Sequence, residues 1–348
     1  MASSIRPCPV PAAITTYLSF YRLNRASFPA YGALGLDPAG RAVTDPVDWG
    51  AGPLNAYQSA RSYPHSALVI GLNIAEGSGT KIWAAGGLAD IGVGAYDQNI
   101  RLLADFCKTI KRPVYLRIGY EFDGAWNSGY ASKTSYILAF RRIVEVMREQ
   151  AVSNVAFVWQ ASASALDDAI DGSHENIQHW YPGDDYVDWL GLSWFLPADE
   201  VRHGLPSQRM LADEVVTMAR LKNKPVMIAE AAPQGYDLAR MTKANISQLW
   251  DGDAAQSRVA KTAQQVWQEW YQPFFEYIHA NADVIRAVAY INAEWDAQPL
   301  WNAPYGQGYW GDSRVQLNPQ IRQYWLDEVL QSWFWQHGGA DLMEQLLE

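Results

Sequence analysis

The chain has 348 residues, of which 49% are hydrophobic and 18% charged, so it can build a large core and is not a disordered protein. Its formal net charge of −10 argues against nucleic acid and anionic membranes as partners, because both carry negative charge themselves. The unusual feature is the aromatic content of 16 Trp, 19 Tyr and 10 Phe, which fills a core and supplies rings for an apolar cleft.

Other composition signals narrow the class further. The six histidines and two cysteines show no metal-ligand spacing, so the sequence predicts no metal site and no cofactor. Cys8 and Cys107 could pair or stay free. No apolar run is long enough to span a membrane, and residues 1–20 lack the apolar centre of a signal peptide. We expect an extracytoplasmic monomer whose signal peptide is absent from this sequence.

Apolar runs and helical periodicities alternate along the chain. Strands are predicted, in order, over 14–21, 66–74, 113–120, 155–159, 186–195, 225–230 and 284–292. Helices are predicted over 96–110, 135–150, 208–221, 256–280 and 317–335. Each parallel return needs a crossover, so this alternation predicts an α/β protein with a parallel sheet.

The predicted fold is a single (β/α)₈ TIM barrel domain over residues 1–348, with regular β-α units over 67–337. Residues 1–66 must then supply the first two strands. The segment 14–21 fits the first of them. No clear second strand stands out in 22–65, which is rich in Pro, Gly and Ala.

Two glutamates follow apolar strands at the positions where barrels carry their active sites. Glu121 comes directly after the 113–120 strand, and Glu230 ends the 225–230 strand. Paired carboxyls about 5–5.5 Å apart hydrolyse glycosidic bonds with retention, and pairs about 6.5–9.5 Å apart do so with inversion. Arg117 lies four residues before Glu121 on the same strand face, where it could keep a carboxylate ionised. A structural ion pair is the alternative for either glutamate.

Four segments carry a resemblance to a known family: LRIGYEFDGAWNSGY (116–130), FVWQ (157–160), WYPGDDYVDWLGLSWF (180–195) and KPVMIAEAAP (224–233). Together they resemble the family 26 glycoside hydrolases, barrel enzymes with catalytic glutamates on strands four and seven. The resemblance implies Glu121 as acid/base, Glu230 as nucleophile and Arg117 beside the nucleophile. It implies a retaining endo-β-glycanase on β-mannan, β-xylan or β-glucan of a plant or algal polysaccharide.

The sequence departs from the mannan-cleaving members of that family at two places. They typically carry His before the acid/base, where this chain has Tyr120. They also carry a Tyr after strand six that bonds the nucleophile, where this chain reads Ser193-Trp194-Phe195. The first departure argues against mannan. The second leaves the orientation of Glu230 to another group, such as Tyr290 or Tyr236.

Further residues at or just after strand ends are candidates for sugar contact. The predicted substrate-binding residues are Arg117, Tyr120, Asp123, Trp126, Asn127, Trp159, Trp194 and Trp295. Core packing is an equal alternative for Trp159. The loop carrying Trp301, Tyr305 and Trp310 is a candidate cleft wall.

Two other function classes compete with hydrolysis. A non-catalytic carbohydrate-binding barrel would keep the fold and lose the role of one glutamate, but both carboxyls are retained. A Schiff-base lyase or a phosphate-binding isomerase would need a strand-end Lys or a phosphate loop, and the strand ends carry no Lys. The sequence therefore favours a hydrolase with a polysaccharide or oligosaccharide as its partner.

Overall fold

The computed structural model describes residues 9–23, 34, 55–75, 87–127, 129–165, 167–168, 172, 174–201, 204–244, 258–298 and 310–347. Its main sheet has seven parallel strands: β1 Ala13–Ser19, β2 Ala67–Asn73, β3 Val114–Ile118, β4 Val155–Ala161, β5 Trp189–Trp194, β6 Val226–Ala231 and β10 Ile285–Tyr290. A small antiparallel sheet follows β6 and contains β7 Tyr236–Asp237, β8 Thr242–Lys243 and β9 Val259–Ala260.

The seven strands follow one another in chain order around a curled sheet, and β1 approaches β10. This is the architecture of the predicted barrel, with seven strands rather than eight in the described residues, and every neighbouring pair is parallel. One expectation needs correction: β1 pairs directly with β2, from Ala13↔Ala67 onward, so no strand from 22–65 lies between them. Most of that segment, 24–33 and 35–54, lies outside the described residues.

Helices cover the outside of the sheet. They are α1 Ala56–Ser62, α2 Gly87–Gly92, α3 Asp97–Ile110, α4 Lys133–Glu149, α5 Gln208–Lys222, α6 Ala263–Val266, α7 Gln272–Ala280, α8 Pro319–Val329 and α9 Ala340–Gln345, with a π turn over Trp267–Tyr271 joining α6 to α7. Ser132 and Ser207 cap α4 and α5 by accepting from backbone N–H groups that helix starts leave unpaired. None of the described helices is long and apolar enough to cross a membrane.

The apolar core has two layers because successive side chains on a strand point to opposite faces. The outer layer lies between sheet and helices and includes Ile100 and Leu103 of α3. The inner layer lies inside the barrel and includes Val69 and Met227, against which Tyr115 packs. Above this inner layer, polar side chains gather at the carboxyl ends of the strands.

Candidate active site

Glu230 reaches the barrel mouth through a bulge in β6. On the β5 side, Leu192 pairs with Ile228 and Ser193 with Glu230, so β6 has one residue more than β5 across this step. The pairing of β6 with β10 is also irregular there. A bulge of one residue re-aims the following side chain, as is common beside active sites. It turns Glu230 toward the end of the barrel where Ser193 lies.

Glu121 sits just beyond β3 in a left-handed backbone conformation, with a φ of 51°. This conformation is unfavourable for a residue with a side chain and persists where surrounding contacts enforce it. The backbone N–H of Glu121 donates to the Gln160 carbonyl at 3.0 Å, and Asn127 Nδ2 donates to the Glu121 carbonyl at 2.7 Å. Backbone strain of this kind is typical of functional positions.

The Glu230 carboxylate forms an ion pair with Arg117, whose Nη2 donates to Glu230 Oε1. Arg117 is fully buried, and its guanidinium lies 4.8 Å from the ring centre of Tyr120 and 5.5 Å from that of Tyr17. Burial alone lowers the pKa of the guanidinium, but the charge of Glu230 outweighs it and holds the pKa above its ordinary value. The Arg117 guanidinium therefore stays charged.

The Tyr17 and Tyr120 rings can pack beside Arg117 because residue 71 is a glycine. A Cβ on Gly71 of β2 would come within 2.7 Å of the Tyr17 ring and 3.2 Å of the Tyr120 ring. Tyr120 thus has a role at the position where a His was expected from the mannan-cleaving pattern. Its ring faces the cation that pairs with Glu230.

Glu121 has the opposite electrostatic setting. Burial and then the nearby charge of Glu230 raise the pKa of its carboxyl to about 8. Two donors oppose this rise, because Ser193 Oγ donates to Oε1 at 2.7 Å and Trp126 Nε1 donates to Oε2 at 3.0 Å. At neutral pH the site therefore holds a protonated carboxyl beside an ion-paired carboxylate.

Three of the predicted substrate-binding residues lie around Glu121. The Trp126 residue is 46% exposed while its indole N–H donates to Glu121, so one large ring is presented to solvent beside this carboxyl. Asn127 anchors the Glu121 backbone. Asp123 ties this loop to the end of β4, because its Oδ1 accepts from Ser162 N at 2.6 Å. Burial raises the pKa of Asp123 to about 6.

The tryptophans predicted at other strand ends are buried. Trp159 and Trp194 have no exposed surface: Trp159 stacks on Phe122 at 4.7 Å, and Trp194 packs against Tyr277 at 4.9 Å. Both belong to the outer core layer, so neither ring has a face free for a sugar, and the expectation of sugar contact is corrected for them. Trp295 is 5% exposed and stacks on Trp310 at 4.7 Å.

Other expectations have different outcomes. Trp301 and Tyr305 lie outside the described residues, as does Cys8, while Cys107 is a buried free thiol. The two tyrosine hydroxyls that were expected to orient Glu230 bond other groups. Tyr236 donates to Glu269 at 2.8 Å, and Tyr290 donates to the Ser313 carbonyl at 2.6 Å. The side chain that bonds the Glu230 carboxylate is Arg117.

Three residues of the site were not predicted from the sequence: Tyr17, Gln160 and Ser193. Gln160 and Ser193 are uncharged polar residues at the ends of β4 and β5, and their position at strand ends was the one available signal. Tyr17 lies within β1, where an aromatic residue reads as core. Within the described ranges, no group of three or more His, Cys, Asp or Glu side chains could hold a metal ion.

Comparisons with known proteins identify the family of this chain. Residues 95–272 match the model of Glycosyl hydrolase family 26. A β-1,3-xylanase from an Alcaligenes species is 34% identical over 337 residues, covering 97% of this chain and 62% of that protein. The β-1,3-xylanase TXYA from a Vibrio species is 35% identical, covering 97% of this chain and 63% of that protein. The chain thus spans less than two thirds of the length of these relatives.

Solved structures show the same fold at low sequence identity. The β-mannanase BoMan26A from Bacteroides ovatus superposes with a TM-score of 0.51 at 13% identity, covering 98% of this chain and 84% of that one. A double mutant of a Cellulomonas fimi endo-β-1,4-mannanase gives 0.52 at 15% identity, covering 91% and 62%. The predicted fold class is confirmed, and the chain belongs to glycosyl hydrolase family 26.

Proposed function

We propose that this chain is a retaining endo-β-glycanase that cleaves β-1,3-xylan, with Glu230 as nucleophile and Glu121 as acid/base. The observation that carries the proposal is the unequal setting of the two carboxyls: Glu230 is ion-paired to a buried Arg117, while burial raises the pKa of Glu121 to about 8. Glycoside hydrolysis by double displacement needs one ionised and one protonated carboxyl at neutral pH.

The proposed reaction proceeds in two displacements. A Glu230 carboxylate oxygen attacks the anomeric carbon, the glycosidic C–O bond breaks, and Glu121 gives its proton to the leaving oxygen. Water then attacks the glycosyl-enzyme ester, Glu121 takes a proton from that water, and Glu230 leaves as a carboxylate. The exposed Trp126 ring beside Glu121 offers a flat apolar surface for a sugar ring.

The choice of β-1,3-xylan among the candidate polymers rests on the two xylanase relatives, which are 34% and 35% identical over 97% of this chain. The two mannanase structures described above are 13% and 15% identical and support the fold alone. Tyr120 in place of His agrees with this choice, because it departs from the mannan-cleaving pattern.

The test is a hydrolysis screen of the purified chain beside its Glu230→Ala variant. The polymers are β-1,3-xylan, β-1,4-xylan, β-mannan, mixed-linkage glucan and β-1,3-glucan. We expect the parent alone to release oligosaccharides from β-1,3-xylan, and proton NMR to show the β anomer first. Cleavage of a different polymer instead would show that the proposed substrate is wrong. Initial release of the α anomer would refute retention, and binding of a polymer without cleavage would favour a non-catalytic barrel.

A further inference from the structure

Three buried side chains connect the two glutamates. Arg117 Nε donates to Gln160 Oε1 at 2.6 Å, and Gln160 Nε2 donates to Ser193 Oγ at 3.0 Å. Ser193 Oγ donates to Glu121 Oε1 at 2.7 Å. All three connecting residues are at most 1% exposed, so water cannot replace any of these bonds without rearrangement of the barrel mouth.

The donor and acceptor groups of these side chains fix the direction of each hydrogen bond from Arg117 to Glu121. A guanidinium has donors and no acceptor, so Gln160 must turn its carbonyl oxygen toward Arg117. Its amide NH₂ then faces Ser193 and donates to the hydroxyl oxygen. A serine hydroxyl has a single proton, and with Gln160 as a donor on one side that proton points to Glu121.

The two oxygens of Glu121 therefore differ. Oε1 accepts the shorter and fully buried bond, from Ser193 Oγ at 2.7 Å, which suits the carbonyl-type oxygen of a protonated carboxyl. Oε2 accepts the longer bond, from the indole N–H of the half-exposed Trp126 at 3.0 Å, and so lies on the side of the barrel mouth that is open to solvent. We infer that Gln160 and Ser193 are positioning residues that direct the catalytic proton of Glu121 to Oε2, the oxygen nearer the cleft.

This inference rests on the proposed role of Glu121 and refines it. The same oxygen would release the proton in the first displacement and recover one from water in the second, so the carboxyl need not rotate between steps. Gly191 on β5 makes room for this arrangement, because a Cβ there would come within 3.0 Å of Gln160 Cβ. The path begins at Arg117, which keeps the amide of Gln160 oriented for as long as it stays charged.

The experiment compares Ser193→Ala and Gln160→Glu with the parent on two substrates. One is a xylo-oligosaccharide, whose leaving group needs protonation, and the other is an aryl xyloside with an acidic phenol. Ser193→Ala frees Oε1, and Gln160→Glu turns the Ser193 hydroxyl away from Glu121. We expect each to lower kcat about tenfold on the oligosaccharide, to leave KM within about twofold, and to change kcat little on the aryl glycoside.

The controls separate positioning from packing. Thr16→Val removes another buried hydroxyl, one that has no hydrogen-bond partner among the described residues, and should change neither substrate's kcat. Ser193→Thr restores a hydroxyl and should recover much of the oligosaccharide activity. Ser193→Ala should also move the alkaline limb of kcat/KM upward, because a donor to the ionised Glu121 is lost.

Equal losses on both substrates, or no loss on either, would overturn the inference. If the parent cleaves nothing, the proposed function fails separately. The hydrogen bond is then read from the titration of Glu121 by carbon-13 NMR. An upward shift in Ser193→Ala and none in Thr16→Val would support the Ser193 contact, and identical titrations would refute it.

Discussion

Replacing Glu121 by Gln should stabilise the protein relative to the parent, and this difference in stability should grow as the pH rises. Burial and the charge of Glu230 raise the pKa of this carboxyl from 4.5 to about 8, so the folded state holds its proton more tightly than the unfolded state. The stability of the parent is therefore highest at a pH below the unfolded-state pKa of Glu121. It falls as the pH rises from that pKa to the folded-state pKa. A glutamine has the same shape and carries no charge to desolvate.

The size of this stability difference follows from the gap between the folded-state and unfolded-state pKa of Glu121. Each pH unit above 4.5 removes about 1.4 kcal/mol of stability until the folded-state pKa is reached, so at pH 7 the parent has lost about 3 kcal/mol. For a chain of 348 residues, this corresponds to a Tm difference of roughly 4 °C. Trp126 Nε1 loses its acceptor if the glutamine amide faces it, but that cost is independent of pH.

The assay is thermal unfolding of parent and Glu121→Gln at unit steps from pH 4 to pH 8. The difference in Tm should grow with pH and level off near pH 8. Glu276→Gln is a matched control, because Glu276 lies on the exposed face of α7 and its replacement removes no buried carboxyl. A difference for Glu121→Gln that does not change with pH would refute the electrostatic argument.

Four further predictions follow from the same site. The kcat/KM of the parent should fall as the pH rises through about 8, where Glu121 loses its proton, and a profile flat to pH 10 would contradict its role as the acid. Glu230→Ala should abolish turnover, whereas Glu121→Ala should retain activity on aryl glycosides with good leaving groups; equal loss of Glu121→Ala activity on good and poor leaving groups would contradict the assignment of the acid. Arg117→Lys should lower kcat by about a hundredfold, because an ammonium cannot reproduce the guanidinium fork, and kinetics at saturating substrate measure this. Gly71→Ala should lower the free energy of unfolding by about 1–3 kcal/mol in urea titration, because the new Cβ would contact Tyr17.

The parts of the fold that could be predicted are those set by local pattern. The helix predicted over 96–110 is observed as Asp97–Ile110, and the strand predicted over 225–230 as Val226–Ala231. Both have a periodicity or an apolar run that does not depend on distant residues. The positions of Glu121 and Glu230 followed from the same boundaries, since barrel chemistry gathers where strands end.

The parts that could not be predicted depend on which way a strand-end side chain points. Trp194 and Ser193 are adjacent, but Trp194 faces the helices and Ser193 the barrel mouth. The bulge in β6 is invisible in an apolar run, although it re-aims Glu230. Gln160 bears no charge, so nothing in the sequence marked it as a link between an arginine and a serine.

The bulge in β6 also makes the orientation of Glu230 independent of the packing of the barrel interior, whereas a regular strand would couple the two. Below it, Met227 points into the barrel interior and helps to fill it. Above it, the added residue resets the alternation, so the orientation of Glu230 does not follow from that of the packing residues. The residues below the bulge can therefore be replaced and repacked while Glu230 keeps its direction. Deletion of Ala229 would remove the bulge and place Glu230 directly after Ile228, so that its direction would again follow from the packing of that residue.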